Sequence, residues 1–168
     1  MLYTTECGAA PVGVRDSKLL TPATRERLRP EIEQWVRAWG VGQASASEID
    51  RHGIISALRL AALRAMASLG ETPGVVLLDG NHDWLSSDDS KCPEVVTMVK
   101  ADLRCTSVAA ASVLAKVRRD DLMQRLAKRH LVYDWEHNKG YASPKHIEAI
   151  TMHGVSTQHR RSWRLPGT

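Results

Sequence analysis

The chain has 168 residues, 43% apolar and 25% charged, enough for one ordinary globular domain with a substantial core. Its formal net charge of +4 suits a polyanionic partner such as nucleic acid without singling one out. No apolar run approaches the roughly 20 residues of a membrane helix, and residues 1–13 do not read as a signal peptide. Cys7, Cys92 and Cys105 are dispersed and form no C-x-x-C pair, which speaks against a disulfide framework or zinc site and for a reducing cytoplasm.

In chain order, Thr21-Pro22 opens a helix, with a hydroxyl at the cap and proline at the first helical position, running to about Trp39 and Gly40. Val41 to Ala44 is a candidate strand. Ser45-Ala46-Ser47-Glu48 is a capping box for a second helix, which Gly53 interrupts and Ile54 to Leu69 continues. Gly74 to Leu78 reads as a buried strand closed by Asp79-Gly80, and Asn81 to Pro93 as a polar loop. Val95 to Val99 is a second buried strand, with Lys100-Ala101-Asp102 at its end. Ser107 to about His130 is a long helix, apolar and packed in its first half, charged and exposed in its second. Ser143-Pro144 caps a last helix ending near Gly154, and the tail carries Arg160, Arg161, Trp163 and Arg164. This alternation of elements points to α/β layering in a single domain, residues 1–168.

Four clusters could carry chemistry. Asp79 and Asp102 each follow an apolar strand at its C-terminal end, the edge where open α/β sheets collect ligands. If the strands are parallel neighbours, the carboxylates lie side by side, and Mg²⁺ or Mn²⁺ relieves their repulsion. The plain alternative is a turn after each strand. Asn138-Lys139-Gly140-Tyr141 precedes a helix N-terminus. Its lysine can meet a phosphate, and its tyrosine can stack on a base or bond a 2′-hydroxyl; a glycine turn with a half-buried tyrosine is the plain alternative. Asp16-Ser17-Lys18 is either a phosphate contact or an ordinary loop. His159-Arg160-Arg161 is either a backbone-binding patch or a solvated face. The histidines at 130, 137, 146, 153 and 159 lack close metal-ligand spacing and read as surface or core residues.

Taken in order, the segments G-V-R-D-S-K-L-L (13–20), A-S-A-S-E-I-D (44–50), V-V-L-L-D-G (75–80), V-K-A-D (99–102), S-V-A-A-A-S-V-L-A-K-V-R-R-D (107–120), H-N-K-G-Y (137–141) and Q-H-R-R-S-W (158–163) resemble bacterial ribonuclease HII. The resemblance spans about Pro11 to the C-terminus. It implies an RNase H-like α/β fold, a mixed sheet flanked by helices. It also implies an endonuclease that cleaves the RNA strand of RNA/DNA hybrids and cuts 5′ to single ribonucleotides in duplex DNA. In that family four carboxylates hold two divalent metals. Asp79 matches the third carboxylate and Asp102 the fourth, with Mg²⁺ or Mn²⁺ as cofactor. Tyr141 matches the tyrosine that reads the 2′-hydroxyl, with Lys139, Lys18, Ser17 and Arg160 as further substrate contacts. The implied partner is an RNA/DNA hybrid or a ribonucleotide-containing duplex, with neither membrane nor obligate protein partner.

The family's opening strand bears Asp-Glu and leads into a Gly-Arg-Gly loop. Here fifteen residues precede Asp16 and none reads D-E-x-G-R-G; Glu6 is not assigned the role. The expectation is a domain lacking its N-terminal strands, through a downstream start codon or a truncated gene. Its two aspartates balance one weakly held ion better than two. The Val75–Leu78 strand then has a bare apolar edge prone to association. Two outcomes stay open: a working hybrid endonuclease, or an inactive fragment with weak hybrid binding.

Overall fold

The computed structural model describes residues 1–86 and 93–165; residues 87–92 of the expected polar loop, with Cys92, lie outside it, as do 166–168. The chain divides into two compact units. One comprises Met1–Gln43 with Leu58–Val117, the other Ala44–Ala57 with Arg118–Thr168. Among the described residues no helix is long and apolar enough to cross a membrane.

The first unit is built on α1 (Pro22–Trp35) and the first half of α4 (Thr106–Ala127). Thr21 caps α1 by accepting the Thr24 N–H at 3.2 Å, with Pro22 inside the first turn. The helix stops at Trp35, short of the expected Trp39, because the next residues are drawn into extended backbone. Leu2 donates to the Ala38 carbonyl at 2.7 Å, and Arg37 donates back to Leu2 at 3.2 Å. Leu28 and Ile32, four apart and so on one face of α1, are fully buried. They join Ala110, Val113, Leu114 and Val117 of α4 in the unit's core.

The expected strand over Val41–Ala44 does not form. Its backbone packs against α2 (Ala46–Ala67) instead of beside another strand. A Cβ on Gly42 would stand 1.8 Å from the Ala61 carbonyl oxygen, so the two main chains meet directly, and the Gln43 carbonyl accepts from Arg64 of that helix at 2.7 Å instead of from a strand.

β1 (Val75–Asp79) and β2 (Glu94–Met98) pair in parallel, in a register that sets Asp79 opposite Met98. Both were expected to be buried, yet only Leu78 is; Val75 is 54% exposed and Val96 40%. The reason is sheet width. Among the described residues β1 is bonded on one edge only, and two strands cannot be covered on both faces as a wider parallel sheet is. A groove of about 330 Å³ runs along β1, lined by Val76, Leu77, Ala62, Met66, Val108 and Ala111 among others.

The second unit takes the opening of α2, the end of α4, α5 (Trp135–Asn138) and α6 (Pro144–His153). The capping box forms as expected. Ser45 N–H donates to Glu48 Oε2 at 2.8 Å, and Glu48 N–H donates to Ser45 Oγ at 3.3 Å. Gly53 breaks α2 with φ 77° and ψ 166°, a conformation that side chains disfavour. Met123, Tyr133, Trp135, Ala149 and Ile150 form the core. Ser143 caps α6 by accepting the His146 N–H at 3.2 Å, as expected from Ser-Pro.

Candidate functional site

In the first unit two strand ends and one loop meet. Asp79 closes β1, and its Oδ1 accepts the Ala101 N–H at 2.9 Å. That bond pins the start of the short helix α3 (Ala101–Arg104), which Lys100 enters through a left-handed φ of 55°. The next residue is Asp102, 8% exposed. Because β1 and β2 are parallel, both acids lie at their C-terminal edge, where the sequence reading set them.

The Asp16-Ser17-Lys18 loop joins them. Lys18 Nζ lies 3.1 Å from Asp102 Oδ2 and 3.7 Å from Asp16 Oδ2. The hydrogen bond to Asp102, then the charge of Asp16, hold its ammonium above the ordinary lysine range, and Asp79 adds to the effect. The loop is anchored from three sides. Asp16 Oδ1 accepts the Lys18 N–H at 3.0 Å, and the Ser17 N–H donates to Ser112 Oγ at 3.1 Å. Buried Arg25 donates from Nη1 to the Ser17 carbonyl at 3.0 Å and the Leu20 carbonyl at 2.7 Å. Ser17 itself is buried, whereas the Lys18 side chain is 77% exposed.

The donor set is hard oxygen, and a cation, the Lys18 ammonium, already sits against Asp102. That fits a Mg²⁺ or Mn²⁺ ion held by one or two carboxylates and completed by water and phosphate oxygens. Among the described residues no three His, Cys, Asp or Glu side chains form a metal-holding group.

In the second unit Tyr141 is 63% exposed, with the Arg119 guanidinium 5.9 Å from its ring centroid. Its loop is tightly made. Asn138 Nδ2 donates to the Tyr133 carbonyl and its Oδ1 accepts the Gly140 N–H, both at 2.8 Å. Lys139 adopts φ 50°; its Nζ donates to the Glu136 carbonyl, and its own carbonyl accepts from Arg119 at 2.9 Å. Arg160 stacks over Trp163 at 4.5 Å. Asp50 ties down the tail, accepting the Arg161 N–H at 3.0 Å, the Ser162 N–H at 2.9 Å and the Ser162 hydroxyl at 2.7 Å. Those bonds hold its carboxyl below the usual carboxylate range.

Behind Tyr141 lies a group that sequence reasoning left undistinguished from other core residues. His146 and His159, 5% and 7% exposed, stand against Trp135 and Tyr133. His146 Nδ1 is 2.9 Å from the Tyr141 carbonyl. The one available signal was the Ser-Pro cap, which sets His146 in the first turn of α6 immediately after that loop.

The ribonuclease HII family profile matches residues 8–165. The chain is 46% identical over 153 residues to a ribonuclease HII of Streptomyces coelicolor, covering 91% of this chain and 64% of that protein. It is 45% identical over 158 residues to one of Paracoccus denitrificans, covering 94% and 73%. The crystal structure of the ribonuclease H2 from Pyrococcus horikoshii OT3 superposes with a TM-score of 0.70 at 27% identity, over 90% of this chain and 77% of that one. The chain thus spans about 64% of the length of the Streptomyces relative.

Proposed function

The chain belongs to the ribonuclease HII family, and from that membership we propose that it serves as a cytoplasmic, divalent-metal-dependent endonuclease on RNA/DNA hybrids, cutting 5′ to single ribonucleotides in duplex DNA. The observation that carries this reading is the meeting of Asp79, Asp102 and Lys18 at the C-terminal edge of two parallel strands. Asp79 and Asp102 are the residues that would hold Mg²⁺ or Mn²⁺. When bound, the metal lowers the cost of charge developing at the scissile phosphate and at the leaving 3′-oxygen. Hydrolysis there leaves a 3′-hydroxyl and a 5′-phosphate on the ribonucleotide.

The protein's own groups do the rest. Lys18, whose side chain is exposed, turns from Asp102 to a phosphate oxygen of the bound strand. Lys139 and Arg160 contact the backbone and fix register. Tyr141 offers its hydroxyl to the ribose 2′-oxygen, the group that separates RNA from DNA. Ser17 acts through the loop it anchors.

A second reading is hybrid binding without cleavage. It is favoured by Lys18, whose ammonium already neutralises Asp102 from 3.1 Å, where a metal ion would otherwise stand. One assay divides the two. A duplex carrying a single ribonucleotide is incubated with the 168-residue chain in Mg²⁺ and then Mn²⁺, beside Asp102→Asn. Cutting 5′ to the ribonucleotide that vanishes in the variant supports the enzyme. Retention without cutting supports the binding reading, and neither would sink both.

A further inference from the structure

His146 and His159 are buried and mutually bonded, and the mechanism above does not use them. Their protonation states follow from their neighbours. Trp135 Nε1 lies 3.0 Å from His146 Nε2. An indole N–H can only donate, so His146 Nε2 is a bare acceptor and the ring proton sits on Nδ1. There it donates to the Tyr141 carbonyl at 2.9 Å. His159 Nδ1 accepts the Ser156 N–H at 3.0 Å and faces the Ser156 hydroxyl at 2.9 Å. Its proton is therefore on Nε2, aimed at His146 Nε2 3.1 Å away. Both rings are neutral, each with one defined tautomer, and the chain of donors ends on the main chain of Tyr141.

We infer that His146 is a positioning residue for Tyr141: its Nδ1–H, fixed in that tautomer by Trp135 and His159, holds the Tyr141 carbonyl and with it the loop that presents the tyrosine. A proton on His159 Nδ1 would face the Ser156 N–H, donor against donor. A proton on His146 Nε2 would face two donors, Trp135 and His159. No site in the relay takes a proton without breaking a bond.

The surroundings act in the same direction. Tyr133 and Trp135 cover the pair from the 131–133 turn and α5, and Ser156 and Arg161 come from the segment after α6. His130 lies at the end of α4, its ring 5.1 Å from Trp135. Asp134, the nearby acid, is engaged by His137 at 2.6 Å. Burial, followed by the charges of His146, His130 and Arg161, pushes His159 below the ordinary value of 6.5, although the Ser156 main chain opposes this. The unfolded chain binds that proton more readily than the folded one, so the stability contributed by the neutral pair is complete above 6.5 and is lost as pH falls through the lowered folded value.

This inference rests on Tyr141 reading the ribose. Its test is the affinity ratio of a fluorescein-labelled duplex with one ribonucleotide to the all-DNA duplex, by anisotropy. The ratio cancels phosphate attraction, which both duplexes share. At neutral pH the ratio should fall from the wild-type chain to His146→Ala. The expected drop is roughly three- to tenfold, the worth of one ordered hydrogen bond. His146→Asn, which keeps a donor near Nδ1, should recover most of the ratio. In ¹⁵N-edited spectra of the wild-type chain, the His146 proton should sit on Nδ1 and exchange slowly. A proton on Nε2, or a His146→Ala ratio equal to wild type while Tyr141→Phe loses it, overturns the inference alone. No ribose preference lost in Tyr141→Phe removes the Tyr141 reading, and the inference with it.

Discussion

Replacing Arg25 with alanine tests whether the loop that carries Lys18 is held from beneath. The guanidinium is 7% exposed, and one nitrogen donates to the carbonyls of Ser17 and Leu20, at either end of the turn. A hydrogen bond from a charged donor contributes about 1.5–3 kcal/mol, and an orphaned buried carbonyl carries a cost of its own. Removing both bonds at once, with some relaxation and water entry, should cost about 3 kcal/mol. For a chain of this length that is a melting-temperature drop of roughly 6–12 °C. Lysine at the same position presents a point donor instead of a planar fork, so Arg25→Lys should recover under half of the loss. Thermal and urea unfolding of the three proteins measure this. A loss under about 1 kcal/mol in Arg25→Ala would refute the reasoning, since the turn would then be held by Asp16 and Ser112 without Arg25.

Gly42→Ala should destabilise by about 3 kcal/mol or more, because its Cβ would meet the Ala61 carbonyl at 1.8 Å and neither main chain can yield cheaply; calorimetry reads it. Asp50→Ala should free the tail, seen as faster proteolysis after Arg160 and Arg161. The depressed Asp50 carboxyl also sets a sign: its contribution is complete above the ordinary value of 3.8 and is lost as pH falls through the lowered one. Tail protection should therefore vanish in strong acid and not at neutral pH. Val75→Lys, at an exposed position on the open β1 edge, should reduce concentration-dependent self-association in sedimentation velocity.

What could be read from the sequence was what neighbours in the chain decide. The caps at Thr21, Ser45 and Ser143, the break at Gly53 and the two strand ends at Asp79 and before Asp102 are each set within a few residues, and each stands where expected. The errors share one cause, the identity of the packing partner. Val41–Ala44 has strand composition, but its neighbour is a helix backbone that only glycine can approach. α1 ends early because Leu2, more than thirty residues away, claims Ala38. The strands are apolar as buried strands are, yet remain exposed because among the described residues no third strand pairs with them.

The same distinction divides the site. Strand ends bring Asp79 and Asp102 to one edge by a rule the sequence displays, whereas the cation against Asp102 comes from Lys18, 84 residues before it, through a turn held by a buried arginine. Tyr141 was legible as an aromatic beside a glycine, either a substrate contact or a half-buried turn residue, and its exposure decides against the half-buried alternative. The relay behind it was not, because His146 and His159 resemble any two core histidines until their donors and acceptors are counted. Both clusters thus have two layers. The groups that would touch substrate announce themselves by position along the chain. The groups that fix them are ordinary residues made specific by burial, so substitutions at Arg25 and His146 separate support from contact more cleanly than substitutions at Asp102 or Tyr141.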